Sequence, residues 1–254
     1  MEYLMPEFKK GSFLRKEMLD SLHSNQWDIL NAIYGNYGDG IVSGMDIVIS
    51  DETFIISKGI FKSASNTYLI KDSLKTEILY GDYYLCLRIK EEYVQSGVEV
   101  KIEAYSEECV DKIISADGFA CIPIAKYNRG KGSKLKEITS IGDNFGSLIN
   151  RLSRLVAKKS VEGGSTISDF YLRMYANEML AKKNIKMKDI VFSMDALNGI
   201  TSKYIIDNYF EASLCNEEVL RKMNDNLKKA ADSSTSDTTK EVIQPKNKTV
   251  MEVI

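Results

Sequence analysis

The chain of 254 residues holds one histidine, His23, and this limits the catalytic chemistry that the sequence can support. A Ser-His-Asp triad or a Cys-His pair uses an imidazole as its general base, so either mechanism would depend on this residue. His23 follows Leu22 in a segment with helical spacing and lies near Trp27, which is typical of a packing or surface histidine. We therefore expect no catalytic residue and predict that the protein is not an enzyme.

The residues that could bind a metal ion are spaced unfavourably for doing so. The four cysteines stand at positions 86, 109, 121 and 215, and the chain has no CxxC or HxxxH pair of the kind that binds zinc. Asp39, Asp46 and Asp51 do not have the alternate spacing of a calcium loop. We expect reduced, mostly buried thiols and no metal site.

Two glycine-rich segments could be mistaken for phosphate-binding loops. Gly38, Gly40 and Gly44 are spaced one residue too widely for a dinucleotide fingerprint, and a helical pattern precedes rather than follows them. Residues 130–133 (GKGS) lack the earlier glycine of a P-loop, and a second glycine stands where Ser or Thr should follow the lysine. We expect turns at both places and no cofactor.

One basic cluster could bind a charged partner. It consists of Lys126, Arg129, Lys131, Lys134 and Lys136, with Tyr127 interleaved and no acid between them. Such a cluster could clamp nucleic-acid phosphates, bind an acidic patch on a protein, or form a solvated hairpin tip. The formal net charge of −2 gives no overall attraction to nucleic acid. We name Lys126, Arg129, Lys131 and Lys134 as candidates for partner binding and do not expect nucleic acid to be the partner.

The first half of the chain predicts a helix and then a β region. Apolar residues recur at helical spacing over residues 12–34, although Ser24-Asn25 could divide the segment. Short strand patterns separated by turn residues follow from about residue 40 to residue 141. We expect a structural turn at Gly38, Gly40, Gly44 and Gly59, with positive φ at Gly40 or Gly44. Pro123 predicts an edge, a bulge or a strand end, and residues 134–138 predict the return arm of a hairpin.

The second half predicts helices. Residues 145–156 have an apolar stripe of period 3.6 that Asp143 or Asn144 could cap. Further helices are expected from a capping box at Thr166 to about residue 182, over residues 189–197 with Gly199 as a C-cap, over 203–214, and from a cap at Asn216 onward.

The composition after residue 231 predicts a linker and then a docking segment. Residues 231–239 are small and polar, as in flexible linkers. Two short apolar patches follow, in which the candidates for partner binding are Val242, Ile243, Val250, Val253 and Ile254. Alternating branched residues in 249–254 (TVMEVI) favour an added β-strand over a helix.

Together these patterns predict an α+β protein. We expect an N-terminal helical segment (1–37), a small antiparallel β domain of sandwich or barrel-like form (38–142), a helical domain (143–231) and a linker with a docking tail (232–254). No apolar stretch approaches the roughly 20 residues of a membrane span, and residues 1–10 do not have the pattern of a secretory signal.

Four segments carry a resemblance to a known class of protein. They are residues 37–47 (YGDGIVSGMDI), 55–62 (IISKGIFK), 81–87 (GDYYLCL) and 121–128 (CIPIAKYN). Residues 8–140 resemble baseplate and tail-fibre-attachment proteins of tailed phages and of phage-tail-like contractile particles such as R-type bacteriocins. No repetitive fibrous shaft follows, which favours a compact baseplate part over a complete fibre.

The resemblance implies a function without catalysis. It implies a structural component of a contractile-tail baseplate, made in the bacterial cytoplasm, assembled with other baseplate or tail subunits into a large symmetric hetero-oligomer, and released by lysis. The alternative that it leaves open is a tail-associated protein that binds carbohydrate or protein on a host surface.

Overall fold

The structure is a computed structural model that describes residues 15–63, 66–94, 97–108, 120–183, 185–199, 202–211 and 215–232. These residues form five α-helices and three mostly antiparallel sheets. The predicted α+β class is therefore confirmed. Among the described helices, none combines the length and the apolar character that crossing a lipid bilayer requires.

Helix α1 (Lys16–Tyr34) is continuous, so the possible break at Ser24-Asn25 does not occur. The last carbonyl groups of a helix have no partners within the helix. Here the buried ammonium of Lys62 donates to the carbonyls of Tyr34, Gly35 and Tyr37 at 2.7, 2.9 and 2.7 Å. A positive charge at this end of the helix also interacts favourably with the helix dipole. Lys62 therefore fixes the end of α1 to the sheet below it.

Thirteen strands are described. They are β1 (Gly40–Gly44), β2 (Ile47–Ser50), β3 (Thr53–Ile56), β4 (Gly59–Ser63), β5 (Asn66–Ile70), β6 (Leu74–Glu77), β7 (Gly81–Val94), β8 (Gly97–Glu107), β9 (Ala120–Arg129), β10 (Lys136–Glu137), β11 (Arg151–Ser153), β12 (Lys158–Val161) and β13 (Gly164–Ile167). The sheet orders are β13-β12-β1-β4-β5, β10-β11-β9-β7-β8 and β2-β3-β6. The described strands thus form three sheets, where the sequence predicted one small sandwich or barrel.

One hydrophobic core lies among the three sheets. Its fully buried members include Phe54, Phe61, Leu85, Ile124 and Tyr127, which come from strands of all three. The hydroxyl of Tyr127 donates to Ser106 at 2.9 Å, so its polar end is satisfied inside the core.

Pro123 lies at a β-bulge, one of the three placements that its lack of an N–H predicts. Leu85 of β7 is opposite Ala125, whereas the next residue, Cys86, is opposite Pro123. Ile124 is therefore the extra residue, and its side chain is buried in the core. The bulge interrupts the ladder where proline cannot donate.

The predicted return arm at residues 134–138 is wrong in its pairing. β10 pairs in parallel with β11, and β11 lies between β10 and β9. The place beside β9 is occupied by a strand from later in the chain, whose Leu152 is fully buried. The turn residues around Gly130 do not indicate that a strand from later in the chain takes the place beside β9.

The predicted helix over residues 145–156 is also wrong. A 3-10 helix (Ile141–Phe145) with a Ser140–Asp143 capping box is followed by β11 and by the β12–β13 hairpin. Asp143 does cap, but it caps this short turn. Phe145, Leu148 and Ile149 of the apparent stripe remain exposed, because pairing with β9 and β1 decides the conformation here rather than helical periodicity. Strands from beyond the predicted boundary at 142/143 thus join the sheets of the first half.

The remaining helices are α2 (Asp169–Leu180), α3 (Met187–Asn198), α4 (Lys203–Tyr209) and α5 (Asn216–Asp232). They pack around a second core that includes Tyr171, Tyr175, Phe192 and Phe210. α2 begins after Ser168, so Thr166 lies in β13 and does not cap it. Gly199 ends α3 with a φ of 73°, which confirms the predicted C-cap.

The apolar face predicted for α5 is confirmed, and its predicted cap is not. Val219, Leu220, Met223 and Leu227 are buried in the second core. Asn216 is the first residue of the helix, and its side-chain amide donates to the carbonyls of Leu155 and Ala157 at 2.7 and 3.4 Å. It therefore attaches the start of α5 to the segment before β12.

The glycine-rich segment predicted as a turn is mostly strand β1, packed against other backbone. A Cβ at Gly38 would lie 2.3 Å from the carbonyl carbon of Gly164, and one at Gly40 would lie 2.4 Å from the carbonyl oxygen of Lys158. A Cβ at Gly44 would lie 2.3 Å from the carbonyl oxygen of Lys58 and 2.9 Å from the Cα of Gly59. Gly40 and Gly44 have φ of +140° and +67°. Side chains are excluded here by both space and backbone conformation.

Gly44→Ala and Gly132→Ala separate these two causes. Both glycines have similar φ, +67° and +74°, but a Cβ at Gly132 meets no atom within 4 Å. We expect Gly132→Ala to lower the free energy of unfolding by about 1–2 kcal/mol, the cost of left-handed backbone for a residue with Cβ. Gly44→Ala should cost clearly more, because Lys58 and Gly59 must also move apart. Urea unfolding measures both, and equal losses would contradict the close-packing account.

Candidate functional site

A cleft of about 920 Å³ lies between strands β1 and β2 on one side and helix α2 on the other. Apolar side chains line both sides, with Ile41 and Val48 on the strand side and Phe170 and Met174 on the helix side. The cleft forms because β1 pairs with β12 only at Ile41, opposite Lys159, while β2 is an edge strand of its own sheet. Beyond Ile41, the side of β1 opposite β4 has no strand partner among the described residues.

Arg154 is the more buried of the two arginines that line the cleft, with 7% of its surface exposed. Its Nη2 donates to the carbonyl of Ile47 at 2.8 Å and to Glu137 at 3.1 Å, and its guanidinium lies 4.0 Å from the ring centre of Phe170. Its Nη1 is buried and has no hydrogen-bond partner among the described residues. A buried donor without an acceptor is costly.

A second set of charges lies at the start of α2. The ammonium of Lys159, 4% exposed, pairs with Asp169. Asp169 also accepts from Nε of Arg173 at 2.5 Å, four residues further along the helix. The position of Asp169 in the first turn places its negative charge favourably in the helix dipole. This cluster fastens β12 to α2 and lines the cleft at the start of the helix.

The charged residues that line the cleft balance one another. Four basic residues (Arg154, Lys158, Lys159, Arg173) and four acidic residues (Asp46, Glu137, Asp169, Glu178) line it. The carboxylate of Glu178 accepts a hydrogen bond from the backbone N–H of Ile141 at 2.6 Å. No cluster of three or more potential metal ligands is found in the described part of the chain. The arrangement is suited to binding a peptide-like group through hydrogen bonds and partial charges.

The predicted basic cluster is divided in the structure. Arg129 is only 4% exposed. Its two terminal nitrogens each donate to Glu52 at 2.5 Å, and it also donates to the carbonyls of Ser133 and Ile78 at 2.9 and 3.0 Å. The expectation of Arg129 as a surface contact is therefore wrong, because this guanidinium joins β9 to the β2–β3 turn. Lys131 and Lys134 are exposed. The ammonium of Lys126 lies 3.6 Å from a carboxylate oxygen of Asp82.

Several predicted residues lie outside the description. Residues 233–254, with Val242, Ile243, Val250, Val253 and Ile254, are outside the described residues, as is the side chain of His23. Cys86 is buried, as expected, whereas Cys215 is exposed.

Two features escaped the sequence reasoning. The hydroxyl of Tyr209 donates to Asp189 and lies 2.7 Å from that of Tyr175, and burial raises the pKa of both tyrosines, that of Tyr175 to about 12. Because these are helix-core contacts over long separations, no local signal marks them. The second feature is an exposed apolar stripe on α3, formed by Met187, Val191 and Met194. Its i, i+4, i+7 spacing was visible in the sequence, but the same helix also buries Phe192 and Ala196.

Comparison with protein-family models, with curated proteins and with solved structures gave no match for this chain.

Glu52→Gln tests the anchoring of Arg129. The hydrogen bonds from Arg129 hold the pKa of Glu52 below its usual value. A lowered pKa stabilises the fold above the unfolded-state pKa, about 4.3, and this stabilisation disappears as the pH falls through the folded-state pKa. We therefore expect Glu52→Gln to unfold at lower urea than the wild type at pH 7, and the difference to shrink below about pH 4.3.

Asp51→Asn is the matched control, since Asp51 neighbours Glu52 in the same turn and forms no ion pair with a described residue. It should unfold at nearly the same urea concentration as the wild type across this pH range. A Glu52→Gln variant that behaved like Asp51→Asn would show that the ion pair does not stabilise the fold.

Proposed function

We propose that the protein is a structural subunit of the baseplate of a contractile phage tail or a phage-tail-like particle, and that it acts through protein–protein interfaces. The resemblance of residues 37–47, 55–62, 81–87 and 121–128 supports the class of assembly. The observation that carries the proposal of an assembly subunit is the exposure of large apolar side chains on two helices.

The first of these surfaces is the stripe on α3. Met187, Val191 and Met194 are 73%, 53% and 51% exposed, and their spacing places them along one face of the helix. The opposite face buries Phe192 and Ala196 in the second core. Contiguous apolar surface of this kind is typical of interaction sites, and methionine adapts its shape to a partner.

The second surface is on α1, where Leu19, Ile29 and Ile33 are exposed. This helix packs against β5 and is fixed at its end by Lys62. Because α1 packs against β5 and α3 packs in the second core, the two surfaces can contact different neighbours. A subunit inside a symmetric hetero-oligomer contacts more than one neighbouring subunit, so it needs more than one such surface.

The remaining parts of the proposal rest on the resemblance. They are the partners, which would be other baseplate or tail subunits, the synthesis in the bacterial cytoplasm and the release by lysis. The alternative, a host-surface binding protein, would be favoured by an exposed aromatic groove. Tyr83 instead stacks on Tyr127, and Tyr84 lies 5.1 Å from the ammonium of Lys126, so neither of these described aromatics forms such a platform.

Val191→Asp tests the proposal in the cells that encode the protein. Val191 is exposed, so the variant should keep the wild-type melting temperature, while a charge in the stripe should reduce incorporation into a multisubunit particle at least tenfold, which corresponds to about 1.4 kcal/mol. Size-exclusion chromatography of a tagged chain, with subunits identified by mass spectrometry and the particle by electron microscopy, measures this.

Lys188→Asp is the control, because it changes an exposed residue of the same helix outside the stripe. It should enter the particle as the wild type does. Elution of the wild-type chain without partner subunits would contradict the proposed function, and normal incorporation of Val191→Asp would remove the α3 stripe from the interface.

A further inference from the structure

The cleft beside β1 has the features of a site for an added β-strand. Residues 42–48 follow its wall, and there both β1 and β2 present an edge that no described strand covers. An uncovered edge offers backbone N–H and C=O groups to an extended peptide. Apolar side chains beside this edge, Val48 and Met174 among them, provide contacts for alternate residues of such a peptide.

The charges of the cleft define what the peptide should carry. Arg154 has a buried Nη1 without a described acceptor, and Lys158 is exposed at the same wall. A carboxylate on the incoming strand would be attracted to the exposed ammonium of Lys158 and to the neighbouring guanidinium of Arg154. The occupant should therefore be an extended segment of alternating, branched side chains with one acidic residue.

Residues 249–254 (TVMEVI) have this chemistry. In an extended conformation, Val250, Glu252 and Ile254 share one face and Thr249, Met251 and Val253 share the other. Branched residues favour the strand, and Glu252 is the acidic residue. With six residues, the segment can cover most of the open edge at residues 42–48.

The chain connection also favours this occupant. Asn216 attaches the start of α5 to the carbonyl of Ala157, which lines the cleft. The end of the 17-residue helix is about 25 Å from its start. The roughly 16 residues from 233 to 248 would have a root-mean-square length of about 22 Å as a flexible chain. A flexible connection of that length would hold the tail near the start of α5 and the cleft at an effective concentration on the order of millimolar.

We propose that residues 249–254 bind in the cleft of their own chain as a β-strand added to the open edge of β1 and β2, with Glu252 directed to the basic wall at Arg154 and Lys158. This assigns to the tail a site within the chain, where the sequence alone predicted a partner. The proposal stands independently of the proposed baseplate function.

Photo-cross-linking in the full chain tests the proposal. A benzoylphenylalanine is placed at Val48, which is 54% exposed at the cleft, or at Leu69, which is exposed on the edge strand β5 outside the cleft. After irradiation, mass spectrometry identifies the linked peptides. We expect adducts with residues 249–254 from position 48 and at least tenfold fewer from position 69. An equimolar mixture of ¹⁴N- and ¹⁵N-labelled chains should give adducts within one isotope, because the tail binds its own chain.

Glu252→Lys adds a second readout that leaves the described fold unchanged. It should reduce the adduct yield from position 48 severalfold, whereas Lys246→Glu, a charge change in the connecting segment, should not. Absence of tail adducts at position 48, equal yields from positions 48 and 69, or adducts only between differently labelled chains would each overturn the proposal.

Discussion

The close approach of backbone to backbone along Gly38–Gly44 is the constraint on which the rest of the structure depends. At Gly38 and Gly40 the chain touches the β12–β13 hairpin, and at Gly44 it touches β4 at Gly59. A single Cβ at any of these glycines would lie within 2.5 Å of another main-chain atom. Only glycine lets β1 lie between a strand from the first half of the chain and a strand from the second.

This junction places the other features. Because β12 joins β1, the helices that follow β13 are held beside the three-sheet core, and Asn216 adds a second attachment at the start of α5. The cleft lies where β1 continues past β12. Buried cations then fix the periphery, with Lys62 at the end of α1 and Arg129 at the β2–β3 turn. If α1 and α3 carry interfaces, as proposed, fixed positions of these helices would lower the entropic cost of binding a partner.

Local signals in the sequence predicted those elements whose cause is local. Gly199 ends α3 because left-handed backbone favours glycine, and α5 buries the apolar face that its period indicated. The helix predicted over residues 145–156 is absent, because strand pairing with distant parts of the chain outweighed the helical period of the sequence. Arg129 was expected in solvent for a related reason. Its neighbours in sequence are basic, but its partner Glu52 is 77 residues away.

The candidate site was less accessible to sequence reasoning than the fold. The cleft is composed of residues from β1, β2, β12 and α2, and no motif connects them. Arg154, which lines the cleft, lies in the segment 145–156 that the sequence predicted as a helix. The glycines were noticed for their turn chemistry, yet their role is to allow close packing, which becomes visible only when the opposing strand is known.

The most direct test of the account is whether the two cores unfold together. Pulsed hydrogen exchange at increasing urea, read by mass spectrometry, can follow residues 54–56 in the first core and residues 171–179 in the second within one experiment. If β1 joins the two halves into one cooperative unit, both segments lose protection at the same urea concentration. Two separate midpoints, with the helical core opening while the sheets stay protected, would contradict the central role given to this strand.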